Sequence, residues 1–196
     1  MITVSSNLAT NLLLEKLAVD DIRGTVHSLR ADGMNVLRGV EDDKAFKQGL
    51  NNTTTARGLL QLLDSIARGQ AVDQESSRQV SEILERQSFN DGISAGLPAG
   101  TRVAHKTGEI TRIHHDAGIV FAPRPFVLVI LVCYTRWAVP TVKITAISHS
   151  IRELHRISVT LSESQGGGSH YAESVHILEV NVVKYIRRRN AKRWPI

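Results

Sequence analysis

Residues 102–135 read RVAHKTGEITRIHHDAGIVFAPRPFVLVILVCYT, and their pattern decides the fold class. Three extended runs emerge: Arg102 to Thr107, His115 to Phe121 and Phe126 to Thr135. All three are rich in the β-branched and apolar residues that suit a pleated, buried surface. Arg124 and Pro125 are the turn between the second and third runs, a connection short enough for a hairpin and hence for antiparallel pairing. The longest apolar run, Phe126 to Tyr134, has nine residues, against about 20 for a membrane span; it suits a strand buried in a sheet. One feature of the first run is out of character. Lys106, Thr107 and Gly108 put a cation, a hydroxyl and a glycine in a row, and glycine inside a strand marks a place where a ligand or another backbone comes close.

Upstream of the strands the period changes to that of helices. Asn7 to Lys16 carries Leu8, Leu12, Leu13 and Leu14 after a Ser/Asn opening. Asp20 or Asp21 caps a second helix through Ile22, Val26 and Leu29, with Gly33 ending it. Residues 34–52 lack a sustained period and read as one long loop, a length that in compact domains usually signals function or disorder. Thr53 to Thr55 open a further helix, with Leu59, Leu60, Leu62, Leu63 and Ile66 leading to Gly69; Asp73 caps another through Val80, Ile83 and Leu84. Residues 90–100 are turn chemistry, and a closing helix is expected from Val142 to about Arg156. Helices first, then an antiparallel meander, make an α+β fold with its sheet flanked by helices.

Composition narrows the function classes. With 42% apolar and 22% charged residues among 196, the chain is that of a globular domain with a real core, not of a disordered segment. The net charge of +5 is local: residues 184–193 hold six basic residues and no acidic one, and without them 18 basic residues face 19 acidic ones. A basic tail of this kind is usually solvated, and nucleic acid is not the expected partner. The single Cys133, inside an apolar run, reads as a small hydrophobe. His105, His114, His115 and Asp116 suggest a metal site, but neighbours on a strand face opposite sides and no i, i+4 pair of histidines accompanies them. Neither a metal nor another cofactor is expected, and oligomeric state is left open. The division is 1–160 for the folded domain and 161–196 for a linker, Gln165 to Gly168 at its core, followed by the basic tail.

Two other places give Lys106-Thr107-Gly108 its meaning. Ser5-Ser6-Asn7 opens the first helix and Glu41 sits in the long loop, so the order along the chain is S-x-N, loop acid, K-T-G. In this order, and in the flanks ITVSSNLATNLLL (2–14) and NNTTTARGLLQLL (51–63), the sequence resembles the class A β-lactamase-like family of penicillin-recognising serine hydrolases. The resemblance covers about residues 2–157. It implies the serine β-lactamase-like fold, here incomplete at its N-terminus. It also implies ring opening of a β-lactam through an acyl-enzyme, and so a place in antibiotic resistance.

The resemblance also implies roles. Ser5 passes a proton toward the leaving nitrogen and Lys106 supplies positive potential beside it. Thr107 binds the substrate carboxylate, Asn7 binds its side-chain amide, and Gly108 lets its backbone approach the strand. Acyl transfer needs such a proton relay, anion anchor and set of donors.

Four departures qualify the implied activity. Ser6 stands where the family has Asp, a change expected to touch local stability more than chemistry. The loop reads Arg38-Gly-Val-Glu41, R-x-x-E where the family has R-x-E, which leaves open whether Glu41 reaches a deacylating water. Asn52 replaces an Asp that would pair with Arg38, which predicts a looser loop. Most important, no serine in the 196 residues is followed three positions later by lysine, so the family's S-x-x-K nucleophile is missing. The expected identity is a truncated serine hydrolase whose full-length parent is periplasmic or secreted; no signal peptide is visible. The alternatives are a penicillin-binding carboxypeptidase or esterase, and a non-catalytic binding module acting through its basic tail.

Overall fold

A computed structural model of the chain describes residues 1–110, 113–123, 125–133 and 176–180. Its centre is the meander. β1 (Arg102–Ile110), β2 (Ile113–Phe121) and β3 (Phe126–Cys133) pair antiparallel in sequence order, with Lys106 opposite Ala117, Thr107 opposite Asp116 and Asp116 opposite Ile130. The first two strands run longer than their sequence pattern predicts, past Gly108 to Ile110 and back to Ile113. A fourth strand, β4 (His176–Val180), lies parallel to β3, giving the order β1-β2-β3-β4 and leaving β1 as an edge among the described strands. The closing helix expected over 142–156, the glycine linker and the basic tail lie outside the described residues.

Alternation along the strands divides the core in two. One sheet face carries Ala104, Ala117, Ile119, Val127 and Val129, all buried against α4 (Ala56–Ala67) and α5 (Gln74–Glu85). On α4 the buried residues Ala56, Leu60, Leu63 and Ile66 follow the helical spacing anticipated from the sequence. The opposite face buries Val103, Val120, Phe126, Leu128 and Ile130 around Ile93. Val127 to Ile130 are fully buried on both faces, which is why β3 reads as a continuous apolar run. Each such side chain contributes about 1.5–3 kcal/mol of burial, so the sheet–α4 contact is the anchor of the fold.

Local chemistry explains the helix starts, with one correction. Ser6, Thr55 and Asp73 cap α1 (Asn7–Leu17), α4 and α5, accepting from the amides of Ala9, Gly58 and Ser76. Neither Asp20 nor Asp21 caps α2 (Val19–Ser28). The cap position is Ala18, with no side-chain bond, and the two aspartates lie in the first turn, where they favour the helix dipole. The helix ends at Ser28, well before Gly33. Asp42 caps a short α3 (Asp43–Lys47) inside what the sequence presented as unbroken loop.

α1 buries none of its residues, and Leu8, Leu12, Leu13 and Leu17 face solvent. It is tied instead by polar bonds: Asn11 donates to the Val40 carbonyl at 3.0 Å and accepts from the Val40 amide at 2.7 Å.

A histidine links two strands. The Val132 amide donates to His115 Nδ1 at 3.0 Å, which requires that nitrogen to be unprotonated. Burial, reinforced by the nearby His114 charge and opposed by a backbone hydrogen bond, holds His115 below the usual histidine range. Because its folded-state pKa is depressed, the unfolded chain takes up the proton first as pH falls. Stability is therefore lost from about pH 6.5 downward. Thermal melts at pH 7.5 and 5.5 are expected to differ by less in His115→Gln, which keeps an acceptor for Val132, than in the unsubstituted chain. Equal losses in both would count against this link.

Candidate functional site

The two adjacent serines of the S-x-N sequence have separate jobs. Ser6 is spent on capping α1. Ser5 closes a tight turn, its amide donating to the Ile2 carbonyl at 3.4 Å, and adopts φ +52°, a left-handed conformation that costs a non-glycine residue about 1–2 kcal/mol. That conformation presents its hydroxyl to β1, where Lys106 Nζ donates to Ser5 Oγ at 2.7 Å. The ammonium also donates to the Thr107 carbonyl. Partial burial pushes the Lys106 pKa down, against the opposing pull of the Asp116 charge.

Beyond Lys106 the edge strand opens to solvent: Thr107 is half-buried, and Gly108 and Glu109 are exposed. The Thr107 hydroxyl and the Asn7 amide make no hydrogen bond to another described residue. Gly108 is not required by the fold, since a Cβ placed there would meet only His115 Cβ, at 4.0 Å. Elsewhere glycine is obligatory. At Gly118 a Cβ would stand 2.5 Å from His105 Cβ and 2.7 Å from the Ala104 carbonyl oxygen, and at Gly92 it would stand 2.3 Å from Asp116 Oδ2.

Glu41 is exposed at φ +60°, and its carboxylate has no hydrogen-bonding partner among the described residues. The loop that carries it is held without the ion pair. Asn52 Oδ1 accepts from the amides of Leu37 (2.8 Å) and Arg38 (3.1 Å), and Asn52 Nδ2 donates to the Arg38 carbonyl at 3.0 Å. Arg38 Nε donates to the Leu50 carbonyl at 2.8 Å, and its guanidinium lies 5.4 Å from the Phe46 ring centroid. An Asn35–Thr53 bridge closes the neck. The expected loosening is therefore corrected: neutral hydrogen bonds replace the missing charge pair.

Behind Lys106 lies a group that sequence reasoning assigned only in part. His105 is fully buried, its Nδ1 2.9 Å from Asp116 Oδ1 and its Nε2 3.1 Å from Asn90 Oδ1 and 3.2 Å from Ser94 Oγ. Asp116 Oδ2 accepts from the Ile93 amide at 2.7 Å, fixing turn 90–96 to the sheet. Asp116 thus anchors the turn to the strand beside Lys106. Asn90 and Ser94 were read only as turn residues; the available signal was a histidine inside a strand with glycine, Gly118, opposite it. A recess of about 340 Å³ beside Asn90, Pro98 and Arg102 lies at the other end of β1 and is lined by none of the six candidate residues.

Comparison with known proteins adds an independent line. Residues 1–154 match the model of the family described as the beta-lactamase enzyme family. No curated protein sequence matches the chain. Among solved structures, PBP-A is 25% identical with a TM-score of 0.68, the match covering 80% of this chain and 59% of that one. A variant of PBP-A in an acyl-enzyme complex with penicillin G matches equally, with the same identity, TM-score and coverage. A class A beta-lactamase from Mycobacterium abscessus is 22% identical with a TM-score of 0.69, covering 79% of this chain and 62% of that one. The chain thus spans about three fifths of the length of these structures. Helices followed by an antiparallel meander, anticipated from residues 102–135, are the arrangement they share.

Proposed function

The chain belongs to the beta-lactamase enzyme family, and from that premise we propose that it carries the proton-relay and carboxylate-anchoring side of a serine acyl-transfer site for β-lactams or related amides and esters. The observation that carries the reading is the 2.7 Å hydrogen bond between Lys106 Nζ and Ser5 Oγ, groups 101 positions apart in the chain. A hydroxyl held by an ammonium of lowered pKa is suited to pass a proton to a leaving nitrogen. The same ammonium supplies positive potential for a substrate carboxylate, and the Thr107 hydroxyl, without a hydrogen-bond partner among the described residues, is a donor beside it. A glycine that the fold does not need, at Gly108 on an open edge strand, leaves room for a substrate backbone. Asn7, at the exposed start of α1, is placed in this reading to meet a substrate amide.

No Ser-x-x-Lys occurs within these 196 residues, so this reading takes the nucleophile and its lysine from another segment. In the whole enzyme that serine would attack the lactam carbonyl. Ser5 would protonate the departing nitrogen, and water would then cleave the ester. Residues 1–160 form the hydrolase unit, and a periplasmic or secreted location goes with this reading. No helix among the described residues is long and apolar enough to cross a membrane.

A second reading keeps the same cleft but with slow ester cleavage, as in a penicillin-binding carboxypeptidase or esterase. The exposed carboxylate of Glu41, without a hydrogen-bonding partner among the described residues and on a loop one residue longer than the family pattern, supports it. The first test is mass. Incubating the purified 196-residue chain with excess penicillin G is expected to leave its intact mass unchanged; a stoichiometric penicilloyl adduct would overturn the assignment of the nucleophile to another segment.

A further inference from the structure

We propose that His105, Asn90 and Gln87 are positioning residues that hold Ser5 and Lys106 in register through one closed ring of hydrogen bonds. The ring starts at Lys106 and passes through the backbone to His105, whose Nε2 faces Asn90 Oδ1 at 3.1 Å. Asn90 Nδ2 donates to the Gln87 carbonyl at 2.8 Å. Gln87 is itself buried, and its side-chain amide donates to the Ile2 carbonyl at 3.4 Å. That carbonyl is the one that accepts from the Ser5 amide and so sets the left-handed turn at Ser5. Ser5 Oγ then accepts from Lys106, and the ring is complete. A second strut runs alongside it, from the Ser88 amide to the Thr3 carbonyl at 2.9 Å.

The physical consequence is specific. Among the described residues the segment 1–6 makes few long-range bonds, and residues 87 and 88 provide the two backbone-directed ones that fix it to the body of the fold. Cutting the ring at Asn90 lets turn 86–90, and with it residues 2–5, shift away from β1. Water then reaches the Lys106 ammonium, whose burial is the largest influence on its protonation. Ser94 provides the control. It contacts the same His105 nitrogen, at 3.2 Å, but leads on to neither Gln87 nor Ile2.

The inference rests on the Ser5–Lys106 reading only for its meaning in catalysis, because its test needs no substrate. The full chain would be produced with ¹³C-labelled lysine and the Lys106 Cε signal followed through a pH titration, assigned by its loss in Lys106→Arg. Asn90→Ala is expected to raise the Lys106 midpoint by about half a pH unit or more, while Ser94→Ala leaves it in place. Gln87→Met, close in size but without the donor to Ile2, is expected to reproduce the rise and covers the case in which Asn90→Ala does not fold. A midpoint unmoved in the folded Asn90 or Gln87 variant overturns the ring, as does an equal rise in Ser94→Ala. Failure of penicillin to bind would count against the proposed function and leave this result untouched.

Discussion

Replacing Asp116 by alanine is expected to cost the chain about 2–6 kcal/mol, the range for leaving two buried hydrogen-bonding groups without their partner. Asp116 is fully buried, and its two oxygens serve different elements: Oδ1 meets His105 Nδ1 at 2.9 Å and Oδ2 accepts the Ile93 amide at 2.7 Å. The substitution strands both donors in the interior, where an unmet hydrogen bond costs about 1–3 kcal/mol each. It also opens a void against Gly92, whose missing Cβ is what lets the carboxylate sit there. Against a total of about 5–15 kcal/mol for a domain, this is a large fraction. Urea denaturation followed by circular dichroism measures it. Asp116→Asn, which keeps an acceptor for Ile93 in nearly the same shape, is expected to lose less than Asp116→Ala. A loss below about 1 kcal/mol in Asp116→Ala would mean that the His105–Asp116 pair is not the clamp between turn and sheet.

The reasons why some of this was legible beforehand, and some not, are local. The meander was readable because Val127 to Ile130 pack on both faces and leave no polar residue to blur the run, while Lys106-Thr107-Gly108 interrupts β1 with types that packing does not favour. The caps at Thr55 and Asp73 were readable because one side-chain oxygen answers one amide three residues on. The Asp20/Asp21 expectation failed because α2 already begins at Val19, so the cap position falls on Ala18, whose side chain has no acceptor, and both aspartates lie inside the first turn. The division of labour between Ser5 and Ser6 was implied by the resemblance and not by the residues alone. By residue type either could have been the cap, and it is the left-handed turn at Ser5, whose Ile2 carbonyl is met by Gln87 from 85 positions away, that turns one hydroxyl toward Lys106. The closed loop neck likewise depends on Asn52 meeting three backbone groups of residues 37 and 38, which an expectation built on charge alone does not contain.

The second large effect concerns recognition. Lys106→Ala is expected to weaken binding of penicillin G to this chain by roughly 10- to 100-fold, the equivalent of one charge-assisted hydrogen bond of about 1.5–3 kcal/mol. The ammonium is already partly desolvated and already oriented by Ser5 Oγ and the Thr107 carbonyl, so little further ordering accompanies its contact with a carboxylate. Thr107→Val removes a neutral donor and is expected to cost only several-fold. The Lys106 contribution should shrink as salt is raised, because a partly exposed charge is screened; that of Thr107 should not.

The central claim is that the outer half of β1 and the Ser5 turn form the carboxylate-anchoring side of an acyl-transfer site. It is tested most directly by titrating ¹⁵N-labelled chain with penicillin G and following the backbone amides. Saturable shifts at Ser5, Lys106, Thr107 and Gly108, weakened in Lys106→Ala, are the result expected. Amides at these four positions that stay fixed while the ligand is at saturating concentration, or shifts that Lys106→Ala leaves unaltered, would contradict it.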